Sequence, residues 1–211
     1  MDAIIQTLAQ ELGRTQEHVQ NVVTLIDEGA TIPFIARYRK ELHGSMDDQL
    51  LRQLADRLQY LRNLDARKGE VKTSIENQGK LTEELSAAID AAATLAEVED
   101  LYRPYKQKRR TRATIAREKG LEPLAALAFA YGPALDMEQA ALDYIDPEKG
   151  VETAADALQG ASDIIAELIS DDADIRKMLR ELYLRRSLLV SKAAAKEPED
   201  SVYRLYYDFK Q

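Results

Sequence analysis

The chain has 211 residues, 45% of them apolar and 31% charged, enough for one large or two small domains with real cores. It contains no cysteine, which excludes disulfides, thiolate metal sites and cysteine nucleophiles. The net charge is −8, so any positively charged stretch stands out against an acidic background.

Hydrophobic spacing predicts an all-α protein, with at most a short strand near the C-terminus. Ile4, Ile5, Leu8 and Leu12 mark a first helix, stopped at Gly13. A second is expected from the cap Thr15, with Val19, Val22, Val23 and Ile26 inward and Gly29 as the stop. Pro33 suits the first turn of a third, which Gly44 is expected to close. Residues 1–44 therefore read as a bundle of short helices with the outline of a helix-turn-helix.

Residues 45–102 read as a long helix and its packing partners. Ser45 with Asp48 forms a candidate capping box, and Leu50, Leu54, Leu61, Leu64, Val71 and Ile75 follow at near-heptad spacing. Arg57 and Lys68 interrupt that seam, and Gly69 inside it marks a kink or a close contact. Thr82–Ala93 is a further helix, and Thr94 with Glu97 caps the next.

Residues 103–211 read as a basic segment followed by a second helical part. Pro123 opens one helix, Asp136 with Gln139 caps another, and 146–150 is a turn. Val151–Ser170 is amphipathic, with Ala155, Leu158, Ile164, Ile165, Leu168 and Ile169 expected inward. Asp171 with Asp174 is expected to restart a helix through Leu188. The strand candidate lies at 189–195, and 196–200 is a loop.

The basic segment, RPYKQKRRTRATIAREKG at 103–120, is the main functional candidate. It holds eight cations and one acid, and without it the chain would carry a net charge of −15. Arg103, Lys106, Lys108, Arg109, Arg110 and Arg112 are the residues suited to phosphates, and Thr111 or Thr114 is placed to cap a helix beside them. Tyr105 is available to stack on a base. The competing reading is a solvated or internally paired loop, neutralised by acidic helices. A second cluster, Arg37, Arg39 and Lys40, sits on the third helix. Either its polar side faces a nucleic-acid groove, or Phe34, Ile35 and Tyr38 face the core while Arg37 and Arg39 pair with acids; the latter is expected.

No catalytic residue is predicted. The chain has no phosphate-loop, dinucleotide or nucleophile-elbow motif. His18 and His43 lie alone, so neither a metal site nor a cofactor is expected. No stretch approaches the ~18 apolar residues of a membrane span. The first residues lack the basic and apolar regions of a secretion signal, and the expected location is the cytoplasm.

Three stretches carry a family resemblance: GATIPFIARYRKE (29–41), LYRPYKQKRRTRATIAREKGLEPLA (101–125) and ASDIIAELISDDADIRKMLRELY (161–183). Together they resemble the N-terminal region of the Tex family, bacterial transcription accessory proteins. The resemblance implies a helical scaffold in a cytoplasmic, nucleic-acid-binding protein linked to the transcription machinery. It also implies that the family's YqgF-like, helix-hairpin-helix and S1 RNA-binding domains would follow Gln211. No catalytic role is implied for any residue here. The expectation is a non-enzymatic scaffold that contacts RNA or DNA backbone without reading sequence. The alternative is a protein-interaction module whose basic segment docks on an acidic partner or on the protein's own later domains.

Overall fold

A computed structural model describes residues 2–107, 109–131, 135–194 and 201–211. Lys108 and the loop expected at 196–200 lie outside the described residues. The described chain is mostly α-helical, with a single pair of three-residue strands, and it divides into two units, 1–99 and 100–211.

In the first unit the long helix is the support for the others. Helices α1 (Asp2–Leu12), α2 (Gln16–Asp27), α3 (Ile32–Tyr38) and α5 (Glu83–Ala91) each pack on α4 (Asp48–Glu76). The caps follow the sequence: Thr15 accepts from the His18 N–H, and Thr82 from the Leu85 N–H. Gly13 and Gly29 terminate α1 and α2 at φ +61° and +88°, which costs glycine little. The α4 core face is Leu51, Leu54, Leu58, Leu61, Leu64, Val71 and Ile75. Leu50 is only half-buried, and Leu51 takes the expected place. Gly69 is exposed with open space where a Cβ would stand, so it marks no close contact.

The two interruptions of the α4 seam are polar clamps. Arg57 forms a two-pronged contact with Glu11 of α1 at 2.7 and 2.6 Å. Lys68 reaches the Asp90 carbonyl in the last turn of α5 at 2.7 Å, where a cation is favoured. Arg62 grips Asp27, the last residue of α2, through two 2.7 Å bonds, and Arg67 bonds Glu99 at 2.7 Å.

The turn between α3 and α4 differs from expectation. Helix α3 ends at Tyr38, not at Gly44, and the following turns carry His43 and Met46 into the core. Neither ring nitrogen of His43 has a hydrogen-bond partner. Ser45 sits at φ +55°, outside the extended region an N-cap requires. Asp47 caps α4 instead, accepting from the Leu50 N–H at 2.8 Å.

Helix α6 (Leu95–Tyr102), capped by Thr94 with Glu97 returning to the Ala93 N–H, contains the boundary between units. In the second unit α10 (Ala154–Asp171) is the common partner. It packs against α7 (Arg112–Glu118), α8 (Glu122–Tyr131), α9 (Met137–Ala141) and α11 (Ala173–Arg186). The core there is built from small residues: Ala113 and Ala116 of α7 meet Ala157 and Ala161 of α10, sealed by Leu121, Leu124 and Ile164. Gly160 allows the approach, because a Cβ on it would lie 2.3 Å from a Leu121 methyl.

Three expectations for this unit are corrected. Ala155, Leu168 and Ile169 are exposed; the buried face of α10 runs through Ala157, Ala161 and Ile164. Asp171 does not cap α11, because α10 runs through it; Asp172 does so, accepting from the Ile175 N–H at 2.8 Å. The strand at 190–192, β1, pairs antiparallel with β2 at Asp208–Lys210, which the sequence pattern did not reveal.

Candidate nucleic-acid interface

The basic segment begins as a 3-10 turn at Arg103–Tyr105 and ends as α7, which Thr111 caps by accepting from the Thr114 N–H at 3.0 Å. Its cations are met by a row of carboxylates on α10. Asp163, Glu167 and Asp171 stand four residues apart and therefore line one face. Asp171 accepts from Arg103 at 3.0 Å. Glu167 accepts from Arg117 at 2.6 Å and from the Thr111 hydroxyl at 3.0 Å. Asp163 lies 3.9 Å from the Arg112 guanidinium. Arg110 bonds Glu118 of its own segment at 2.6 Å, and Lys119 donates to the Gly150 carbonyl at 2.6 Å. Lys106 lies 5.3 Å from the Tyr102 ring centroid. Arg109 is exposed with no carboxylate partner among the described residues, and Arg112 is held only loosely.

A second internal neutralisation lies beside it. Arg176 and Arg180, one turn apart on α11, both donate to Asp100, whose residue is 5% exposed. Burial pushes the Asp100 carboxyl up, but hydrogen bonds from Arg176 and Arg180 outweigh it and hold the group below its ordinary value. In the sequence Asp100 stands out only as the last residue of the acidic run 97–100, and Glu167 does not stand out. The α10 row was readable there as three acids at four-residue spacing.

The cluster on α3 is arranged differently. Only Ile35 is buried; Phe34 is 39% exposed and Tyr38 57%. This overturns the expectation that all three face the core. The two rings are neighbours, with centroids 5.3 Å apart and tilted at 47°. The Arg39 guanidinium lies 5.3 Å from the Phe34 ring centroid and donates to the Tyr38 carbonyl at 3.3 Å. Arg37 and Arg39 have no carboxylate partner among the described residues, again against expectation, and neither has Lys40. Arg37 and Lys40 are fully at the surface.

Among the described residues no helix is long and apolar enough to cross a membrane. Comparison with known proteins places these features in a family. The description "Tex-like protein N-terminal domain" matches residues 2–76, and "Tex central region-like" matches residues 132–211. The chain is 48% identical over 209 residues to "Protein tex" of Bordetella pertussis, covering 99% of this chain and 26% of that protein. It is 46% identical over 206 residues to "Transcriptional accessory protein Tex" of Neisseria gonorrhoeae, covering 97% of this chain and 27% of the relative. It is 33% identical over 195 residues to "S1 RNA-binding domain-containing protein 1" of Homo sapiens, with 92% and 19% covered. The chain thus spans less than a third of the length of these relatives. Two matched regions, one at each end, and this level of identity along almost the whole chain agree: the protein belongs to the Tex family of transcription accessory proteins.

Proposed function

We propose that this chain is a non-enzymatic helical scaffold of a cytoplasmic transcription accessory protein, and that it holds RNA or DNA by the phosphate backbone without reading base sequence. The observation that carries this reading is the set of cations without carboxylate partners among the described residues, Arg37, Arg39, Lys40 and Arg109, in a chain of net charge −8. Unpaired surface cations bind polyanions by releasing counterions, so affinity falls steeply with salt. The names of two relatives, one a transcriptional accessory protein and one carrying an S1 RNA-binding domain, support a nucleic-acid partner. The α2–α3 pair has the outline of a helix-turn-helix with α3 presented outward.

A second reading has its own support. Arg103, Arg110 and Arg117 are engaged by carboxylates, which favours a structural role for much of the basic segment. On this reading the exposed apolar residues of α11, Leu182, Tyr183 and Leu184, serve contacts with protein.

Fluorescence anisotropy separates the two. Labelled single-stranded RNA, single-stranded DNA and duplex DNA are titrated with the chain at two salt concentrations, beside an Arg37→Glu/Arg39→Glu/Lys40→Glu variant and an Arg109→Glu/Arg112→Glu variant. Salt-sensitive binding that weakens in both folded variants is expected. Absence of binding at low salt would remove the nucleic-acid reading and leave the protein-docking one.

A further inference from the structure

We propose that the exposed face of α3 is a base-stacking platform, so that the partner at this site is single-stranded nucleic acid with accessible bases and not a duplex. This deepens the backbone-binding reading above and rests on it for the phosphate contacts. Three observations converge. Phe34 and Tyr38, one helical turn apart, present adjacent rings to solvent where the sequence would place them inside. The Arg39 guanidinium lies over the Phe34 ring, 5.3 Å from its centroid, so a planar cation is layered on the aromatic pair and offers a further flat face for a base. Arg37, Arg39 and Lys40 leave their positive charge available around those rings, which suits the phosphates of a strand whose bases reach the rings.

The chemistry follows from these placements. A base has an apolar π-face and a charged backbone about one sugar away, and the site offers rings with cations at neighbouring positions of the chain. Stacking tolerates any base, which agrees with binding that does not read sequence. A duplex hides its π-faces between neighbouring pairs, and reaching them costs unstacking. A ring pair therefore gains more from an unpaired strand, whose bases stack on it without that cost.

The test uses the 211-residue chain with four probes of equal length: oligothymidine, an abasic strand of the same charge, duplex DNA and polyglutamate. Oligothymidine is expected to bind on the order of tenfold or more tighter than the abasic strand, the scale of one or two stacked bases. Phe34→Ala/Tyr38→Ala should remove that preference while leaving abasic affinity and its salt dependence unchanged, and Phe34→Tyr/Tyr38→Phe should retain the preference. Equal affinity for oligothymidine and the abasic strand would overturn the platform while leaving backbone binding intact. Failure of every nucleic-acid probe to bind would overturn both, and competition by polyglutamate equal to that by oligothymidine would reduce the surface to a general polyanion site. Ultraviolet crosslinking of a 5-iodouracil strand to the unaltered chain keeps the proposal falsifiable if the alanine variant does not fold. Crosslinks mapping to Phe34 or Tyr38 support it, and crosslinks confined to other residues overturn it.

Discussion

The segment at 103–119 carries eight cations and the end of α3 with the two residues after it carries three, yet the smaller group is the one left without carboxylates among the described residues. The difference lies in what folds opposite. Helix α10 brings Asp163, Glu167 and Asp171 to the basic segment as a row; Arg103 and Arg117 are taken up by it, and Arg112 is held loosely. No such row faces α3 among the described residues. Charge density along a sequence therefore measures the supply of cations, and the tertiary fold decides how many remain for a ligand.

Four experiments press on this contrast. The largest effect is expected from the core face of α4, on which α3 also packs: Leu64→Ala should cost about 2–5 kcal/mol in urea unfolding, since the side chain is buried and its removal leaves a cavity. A loss below about 1 kcal/mol would mean that the inward stripe of α4 contributes little to the first unit. Next, Glu167→Ala removes the shortest contact of Arg117, leaving it Glu122 at 3.6 Å, and one partner of the Thr111 hydroxyl, and should cost about 1–3 kcal/mol. The neutralising set Asp163→Asn/Glu167→Gln/Asp171→Asn should in addition raise affinity for single strands, because it frees the segment's arginines. Unchanged or lower affinity in a folded variant would show that α10 does not mask the segment.

The mirror experiment is charge reversal on α3. Stability of the Arg37→Glu/Arg39→Glu/Lys40→Glu variant should stay within about 0.5 kcal/mol, as for ordinary surface changes. The slope of log affinity against log salt should shrink by about 2–3, one unit for each phosphate that is no longer neutralised. A large loss of stability would mean that these cations hold the fold after all.

The smallest effect is the acid titration. Hydrogen bonds from Arg57 and Arg62 hold Glu11 and Asp27 below their ordinary values, and Asp100 lies below 3.8 by the balance already described. A carboxyl depressed in the fold stabilises it when ionised. That contribution is complete above the unfolded value and disappears as pH falls through the folded one. Stability should therefore be steady above about pH 5 and decline below about 4, and Asp100→Asn should flatten part of the decline. A pH dependence identical to that of the unaltered chain would exclude Asp100 as a contributor.

Much of the fold was legible because short-range rules decide it. The caps Thr15, Thr94 and Asp136, the stop at Gly13 and the turn at 146–150 need only local hydrogen bonds and backbone preferences. The misplaced cap at Ser45 depends on the path of the chain after α3, and the strand at 208–210 on a distant partner at 190–192; periodicity reports neither. The exposure of Phe34 and Tyr38 was illegible for a similar reason. A seven-residue helix has room to bury one large residue against α4, and Ile35 takes that place. The engagement of Arg117 and Arg103 was partly readable, since the acids at 163, 167 and 171 repeat at one helical turn.

The arginines at 57, 62 and 67 fix something other than energy. Five residues along an α-helix turn the side-chain direction by about 140°, so three arginines at that step point to three sides and meet α1, α2 and α6 in turn. A single residue inserted between 57 and 62 would swing everything beyond it by about 100°, sending Arg62 and Arg67 away from Asp27 and Glu99 together. Substitutions in that stretch alter one clamp at a time, but a change of length scrambles the addresses of all that follow. The count of residues between the clamps is therefore a quantity this scaffold must hold constant.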